Sequence, residues 1–298
     1  MKVLIAIDSS PASRRLLQET VARPWPAGTK FCVATSIKVT LFVELPSVLE
    51  ELKREAEQLV AAGATVLVRA KLNSITHVLT GSPRKAVSAY AAEWGADLIL
   101  AGSHGHTAIG RFLLGSVAQG ILRTAPCSVE IVRFPPGDSS PSSHPMKILL
   151  ATDGGECSFA AAGAAAERPW PAGSIFRVIS VEDLIVAETP VAEYSPATIY
   201  PASLLEELLA DARSRAIEAV DAARQILVAA GLKVLDQQPI PARDPRVGLL
   251  DAAQVWPADL IMVGSHRRRG LDRLLMGSVA ESVAVHAKCS VEVIRKKP

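Results

Sequence analysis

Gly102-Ser103-His104-Gly105, nine further residues, then Gly115-Ser116-Val117 form the stretch of this chain most suited to chemistry. Glycines let backbone N–H groups approach an anion with no Cβ in the way, and a helix start adds unpaired donors and partial positive charge. The chemistry these residue types allow is the holding of phosphate. The stretch follows the apolar run Asp97-Leu-Ile-Leu-Ala101 and precedes a helix-like pattern, so it sits where a strand turns into a helix. An altered copy, Gly264-Ser265-His266-Arg267, nine residues, then Gly277-Ser278-Val279, follows Asp259-Leu-Ile-Met-Val263. Asp8 and Asp153 close two further matching apolar runs, Lys2-Val-Leu-Ile-Ala-Ile and Lys147-Ile-Leu-Leu-Ala-Thr.

Two other phosphate signatures are absent. Without GxxxxGK[ST] the lysine and metal-binding hydroxyl of a P-loop are missing, and without GxGxxG after the first strand a dinucleotide reading has no support. His104 and His106 stand two apart, but no Cys, Asp or Glu completes a metal set, so a loop-stabilising hydrogen bond is their expected role. Cys127 and Cys289 begin the last strand of each copy, where a small buried residue fits. No catalytic residue is assigned: the motif carries no acid near the phosphates, and His104 or His106 is the only candidate base, which disfavours efficient catalysis.

The elements that must position these residues come as one domain written twice. Arg23-Pro-Trp-Pro-Ala-Gly28 matches Arg168-Pro-Trp-Pro-Ala-Gly173, and Ala125-Pro-Cys-Ser-Val-Glu-Ile-Val-Arg133 matches Ala287-Lys-Cys-Ser-Val-Glu-Val-Ile-Arg295. The offset between partners grows from 145 (Lys2 to Lys147) to 162 (Asp97 to Asp259), a net insertion of 17 residues in the second copy. The reading is a domain over 1–133, a Pro-, Gly- and Ser-rich linker over 134–145, and a second domain over 146–298. In the first copy, strands are predicted near 2–7, 31–36, 65–69, 97–101 and 128–132, with helices near 11–22, 47–62, 83–93 and 115–124. Apolar strands alternating with helices predict an α/β fold: two tandem, doubly wound, five-stranded parallel sheets, Rossmann-like, with ligands at the strands' C-terminal ends. Pro190, Pro196 and Pro201 predict a loop over 182–202, after which Ser203 would cap a helix running to about Ala230.

Composition excludes several functions. Hydrophobic residues make up 49% and charged ones 21% of 298 residues, which is globular rather than disordered. Aromatics at 4% supply no stacking platform, and a formal net charge of +2 predicts no bulk affinity for nucleic acid. No apolar run is long enough for a membrane span. Four cysteines without CxxC spacing argue against a disulfide framework and make a cytoplasmic location the expectation.

Ile5-Ala-Ile-Asp8-Ser-Ser-Pro-Ala-Ser13, Asp97-Leu-Ile-Leu-Ala-Gly-Ser-His-Gly105 and Leu113-Leu-Gly115-Ser116-Val117 together resemble the universal stress proteins, over both copies and in a tandem arrangement. The resemblance implies a stress-responsive regulator that binds ATP, or ADP or AMP, with Mg2+ accompanying the nucleotide and no dedicated protein site for it. It implies that Gly102, Ser103, His104, Gly105, His106, Gly115, Ser116 and Val117 meet phosphates and ribose. Asp8 would contact the adenosine, and Ser36 or Ile37, ending the second strand, would flank the base. The second set would be Asp153, Val181, Gly264, Arg267, Gly277, Ser278 and Val279. There Arg267 replaces Gly105 and Arg243 replaces Gly81. A Cβ at 267 would clash with phosphate or resist a left-handed turn, whereas the guanidinium could pair with phosphate, and both outcomes stay open. In the resembled family the last strand pairs antiparallel across a dimer. This implies a homodimer, or a pseudo-dimer within one chain, beside an unidentified signalling partner. A slow ATPase or phosphotransferase and a nucleotide-free scaffold are the alternative readings.

Overall fold

The computed structural model describes residues 1–38, 46–104, 114–134, 144–183, 202–236, 239–242, 244–265 and 276–296. The first copy runs β1 (Lys2–Ala6), α1 (Pro11–Ala22), β2 (Lys30–Ile37), α2 (Pro46–Arg69), β3 (Asn73–Thr80), α3 (Pro83–Trp94), β4 (Leu98–Gly102), α4 (Ser116–Thr124) and β5 (Ser128–Val132). The second runs β6 (Lys147–Ala151), α5 (Glu156–Ala166), β7 (Ile175–Ile179), β8 (Val181–Asp183), α6 (Ala202–Ala229), β9 (Val234–Leu235), β10 (Ile240–Ala242), α7 (Pro245–Val255), β11 (Leu260–Gly264), α8 (Ser278–His286) and β12 (Ser290–Ile294).

The main strands join in one sheet in the order β3-β2-β1-β4-β5-β12-β11-β6-β7-β9, while β10 and β8 form a separate parallel pair. Pairing is parallel within each half and antiparallel only between β5 and β12. Both faces are covered, which explains the continuous apolar strands. In β1, Val3 and Ile5 pack into a core with Leu16, Leu17 and Val60, whereas Leu4 packs with Val87, Ile121 and Leu122 on the other face. That second core crosses the seam, joining Val129 and Ile131 of β5 to Val291 and Val293 of β12. The repeat holds at the level of single rings. Trp25 meets Phe31 edge-on at 5.3 Å, and Trp170 meets Phe176 edge-on at 5.2 Å.

The third strand differs from expectation. Thr65-Val-Leu-Val-Arg69 is the end of α2, because its inward residues Ala56, Val60, Gly63, Ala64 and Leu67 follow helical spacing. Gly63 lets this helix lie close on the sheet: a Cβ there would stand 3.0 Å from a Val33 methyl. The strand is instead Asn73–Thr80, largely exposed at the sheet edge. Helix α6 starts at Ala202, so Ser203 lies inside its first turn rather than ahead of it. The predicted loop over 182–202 falls mostly outside the described residues, as does the centre of the linker.

At the seam the cross-strand partner of Glu130 is Glu292, and both are fully buried. Like charges facing each other across strands are unfavourable. Each is matched by an arginine from its own copy: Arg23 at 2.5 Å from Glu130, and Arg168 at 2.7 Å from Glu292. The two Arg-Pro-Trp-Pro turns thus meet over the strand pair and line a cavity of about 30 Å³ with both glutamates. Burial first, then the neighbouring Glu130 charge, push the Glu292 carboxyl above the ordinary carboxylate range, against the pull of Arg168.

Candidate functional site

The crevice of the first copy is built from the ends of β1 and β4 and the starts of α1 and α4. Glycine ends β4 at Gly102, and Ser103 continues the backbone ladder by donating its N–H to Val132 O at 3.1 Å. Ser103 O then accepts the N–H of Gly115 at 2.8 Å, which brings the two ends of the motif together. A Cβ on Gly115 would lie 3.2 Å from that same oxygen, so this close approach favours glycine. Gly115 is the N-cap of α4 and no side chain caps it. The first N–H groups of the helix, beginning at Ser116, Val117 and Ala118, have no intrahelical partner and carry the positive end of its dipole. Ser116 and Val117 are exposed there.

His104 abuts this helix start, its Cα 3.7 Å from where a Gly115 Cβ would be. Its Nδ1 lies 3.1 Å from Ser103 Oγ, the loop contact that the sequence predicts. Its Nε2 is buried and has no hydrogen-bond partner. A buried ring nitrogen left unpaired marks a place where a ligand or water completes the structure. Gly105 and His106 lie outside the described residues.

Asp8 stands two residues beyond β1. Its Oδ1 accepts the N–H of Ser10 at 3.0 Å and the hydroxyls of Ser13, at 2.7 Å, and Ser10. Ser13 Oγ in turn accepts the Asp8 N–H at 2.8 Å. These bonds fold the chain into the start of α1, so Asp8 has the turn-forming role as well as a place at the crevice. Ser36 and Ile37 end β2 as expected. The Ser36 hydroxyl donates to Gly81 O at 3.0 Å, and the Gly81 N–H donates back to Ile37 O at 2.9 Å. Gly81 holds a φ of +117°, and a Cβ on it would meet nothing within 4 Å. A side chain there would be strained by its backbone rather than by crowding.

The second crevice repeats the frame. Ser265 donates to Ile294 O at 2.9 Å, Gly277 donates to Ser265 O at 2.7 Å, and Gly277 caps α8 ahead of Ser278 and Val279, again with no side-chain bond. Three details differ. A Cβ on Gly264 would lie 2.5 Å from the carbonyl carbon of Cys157, whereas at Gly102 the α1 atom in reach is the Ala12 Cβ at 3.9 Å. The first turn of α5 therefore lies directly against the end of β11 and narrows the crevice. That turn also carries Glu156, an exposed carboxylate 3.5 Å from Lys296 Nζ, which puts negative charge at a helix start that would otherwise draw an anion. Finally, Val181 replaces Ser36 and packs its methyls 3.3 and 3.4 Å from where a Gly248 Cβ would be. Asp153 is exposed and accepts the Gly155 N–H at 2.9 Å, while Ser158 turns to Thr152 and Gly155 O. Arg267 and Arg243 lie outside the described residues. Sequence reasoning missed Ala12; the Ala12-to-Cys157 mismatch in the repeat is the signal that could have found it.

Among the described residues no group of three His, Cys, Asp or Glu is placed to hold a metal, and no helix is long and apolar enough to cross a membrane. The family model described as the Universal stress protein family matches residues 1–133 and 145–295. A universal stress protein of Mycobacterium tuberculosis is 28% identical over 202 residues, covering 67% of this chain and 62% of that protein. The match thus spans less than two thirds of that relative's length. A putative universal stress protein of Staphylococcus haemolyticus is 37% identical over 86 residues, covering 28% of this chain and 52% of that one. The crystal structure of a universal stress protein from Archaeoglobus fulgidus superposes with a TM-score of 0.66 at 19% identity, covering 99% of this chain and 96% of that one, a likeness of fold.

Proposed function

Since this chain belongs to the universal stress protein family, we propose that its first copy binds an adenine nucleotide, ATP or its ADP and AMP relatives, and acts as a nucleotide-responsive regulator. The observation that carries the reading is the uncapped start of α4 at Gly115, set against a His104 ring nitrogen that is buried and unpaired. Anion charge suits such a helix end, and the glycines leave room for it. Gly102, Ser103, His104, Gly105, His106, Gly115, Ser116 and Val117 would hold phosphates and ribose. Asp8 would hold the adenosine, and Ser36 and Ile37 would flank the base. Mg2+ would arrive with the phosphates.

The second copy serves in this proposal as a structural partner. The contact of Gly264 with Cys157 and the Glu156 carboxylate both weigh against phosphate there. Efficient hydrolysis is not part of the proposal, since the candidate bases in the phosphate loop are the histidines His104 and His106 rather than a carboxylate, and Asp8 Oδ1 is engaged in the α1 turn. A cytoplasmic location and the division at 134–145 belong to the same reading.

The test is to denature freshly purified protein and count released adenine nucleotide per chain. About one per chain is the expected result. Two would show that the second crevice binds after all. None, together with no calorimetric response to added ATP, would leave a nucleotide-free scaffold as the function.

A further inference from the structure

Arg133 and Arg295 end the repeated Ser-Val-Glu-x-x-Arg segments, and each reaches into the other copy. Arg295 donates from Nη1 to Ala125 O at 2.6 Å and from Nη2 to Leu122 O at 2.7 Å, at the C-terminal end of α4. Arg133 donates from Nη2 to Ala284 O at 2.6 Å and Val285 O at 3.0 Å, at the end of α8. Their backbone N–H groups add matching bonds to Ser128 Oγ and Ser290 Oγ, each at 3.1 Å. The pairs match, and so do the helix ends they grip: the carbonyls of Leu122 and Ala284 both lie in a last turn with no further helical N–H to meet them, and each takes an arginine instead.

Helix α4 is intrinsically weak. It has nine residues, with Gly120 at its middle, and glycine is held there because a Cβ would lie 2.6 Å from Arg84 Cβ. Short helices form poorly unless their ends are satisfied. One end of α4 opens on the first crevice, and the other is satisfied by Arg295.

We propose that Arg295, supplied by the second copy, is a positioning residue for the first copy's nucleotide site, acting through α4. The inference rests on reading the first crevice as that site. An anion at the N-terminus and a guanidinium at the C-terminus both favour the formed, correctly placed helix, so each strengthens the other's hold. The structural second copy thereby sets the affinity of the binding one.

The experiment uses the full chain and ATP as the titrant in calorimetry, with thermal unfolding of each variant as the check on folding. Arg295→Gln should weaken ATP binding roughly fivefold or more, while Arg133→Gln, which loosens only α8, should change it less than about twofold. Where Arg295→Gln and Arg133→Gln lower the melting temperature alike, only the first should weaken ATP binding, which a merely destabilising change would not explain. If Arg295→Gln fails to fold, Arg295→Lys keeps the charge with a single donor group and should still weaken binding more than Arg133→Lys. Equal effects of the two arginines, or no effect of Arg295, would overturn the coupling and leave the nucleotide reading intact. Failure of the unaltered chain to bind ATP would overturn both.

Discussion

The two crevices are built on one frame and differ in three contacts. In the first, the start of α1 sets the Ala12 Cβ 3.9 Å from where a Gly102 Cβ would be, with no acid in the helix's first turn. In the second, the start of α5 sets the Cys157 carbonyl carbon 2.5 Å from where a Gly264 Cβ would be and brings Glu156 with it. Ser36, with its hydroxyl on Gly81, becomes Val181, packed against Gly248. The seam diverges less: Arg23 and Glu130 are answered by Arg168 and Glu292, and Arg133 by Arg295, while the more exposed Arg123–Glu281 pair has Val285 and Gln119 at the matching positions. The lesson is that the repeat preserved what holds the halves together more strictly than what would hold a ligand.

Substitutions at like positions should therefore act alike at the seam and unlike at the crevices. Arg23→Ala and Arg168→Ala each strand a buried glutamate, and each should cost about 3–5 kcal/mol of stability. Denaturant unfolding that separated the two by more than about half of that would break the claimed equivalence. Next in size, Gly105→Arg gives the first loop the second's residue and should weaken ATP binding about a hundredfold, ~2.7 kcal/mol. The reverse change, Arg267→Gly, should add no second nucleotide per chain, since the Gly264 contact remains; calorimetric stoichiometry decides both. Gly264→Ala should destabilise by roughly 1–3 kcal/mol through backbone overlap, against less than about 0.5 kcal/mol for Gly102→Ala. Equal melting shifts for the two would remove the argument for a narrowed second crevice.

The smallest effect concerns pH. Glu292 titrates above its unfolded value, so its contribution to stability is present below the ordinary carboxylate pKa and is lost as pH rises through the folded one. Measured against Glu292→Gln, the unaltered chain should lose relative stability on going upward through that window. A difference that stayed flat with pH would show that the carboxyl is not perturbed.

Much of this was readable in the chain itself. Apolar runs alternating with helices, the repeat and the glycine spacing pointed to the tandem parallel sheets and to Gly102, Gly115 and Asp8 at one crevice. The third strand was not legible, because edge position removes the apolar signal: Asn73–Thr80 is polar and exposed, while Thr65–Arg69 is β-branched yet helical. Nor could the sequence show that Glu130 faces Glu292. A glutamate amid Ser-Val-Glu-Ile-Val demanded a buried partner, but pairing across 162 residues is decided only by the antiparallel meeting of β5 and β12. The roles of Arg133 and Arg295 were hidden for the same reason, since backbone carbonyls of another copy leave no mark in composition.

The antiparallel junction of β5 with β12 has a consequence for heredity. When two identical subunits meet at such a junction, one coding segment specifies both, and any substitution strikes both pockets at once. Covalent fusion gives each half its own codons. Drift in one pocket is then tolerated while the other stays under selection, and only the residues that touch across the junction must keep changing together.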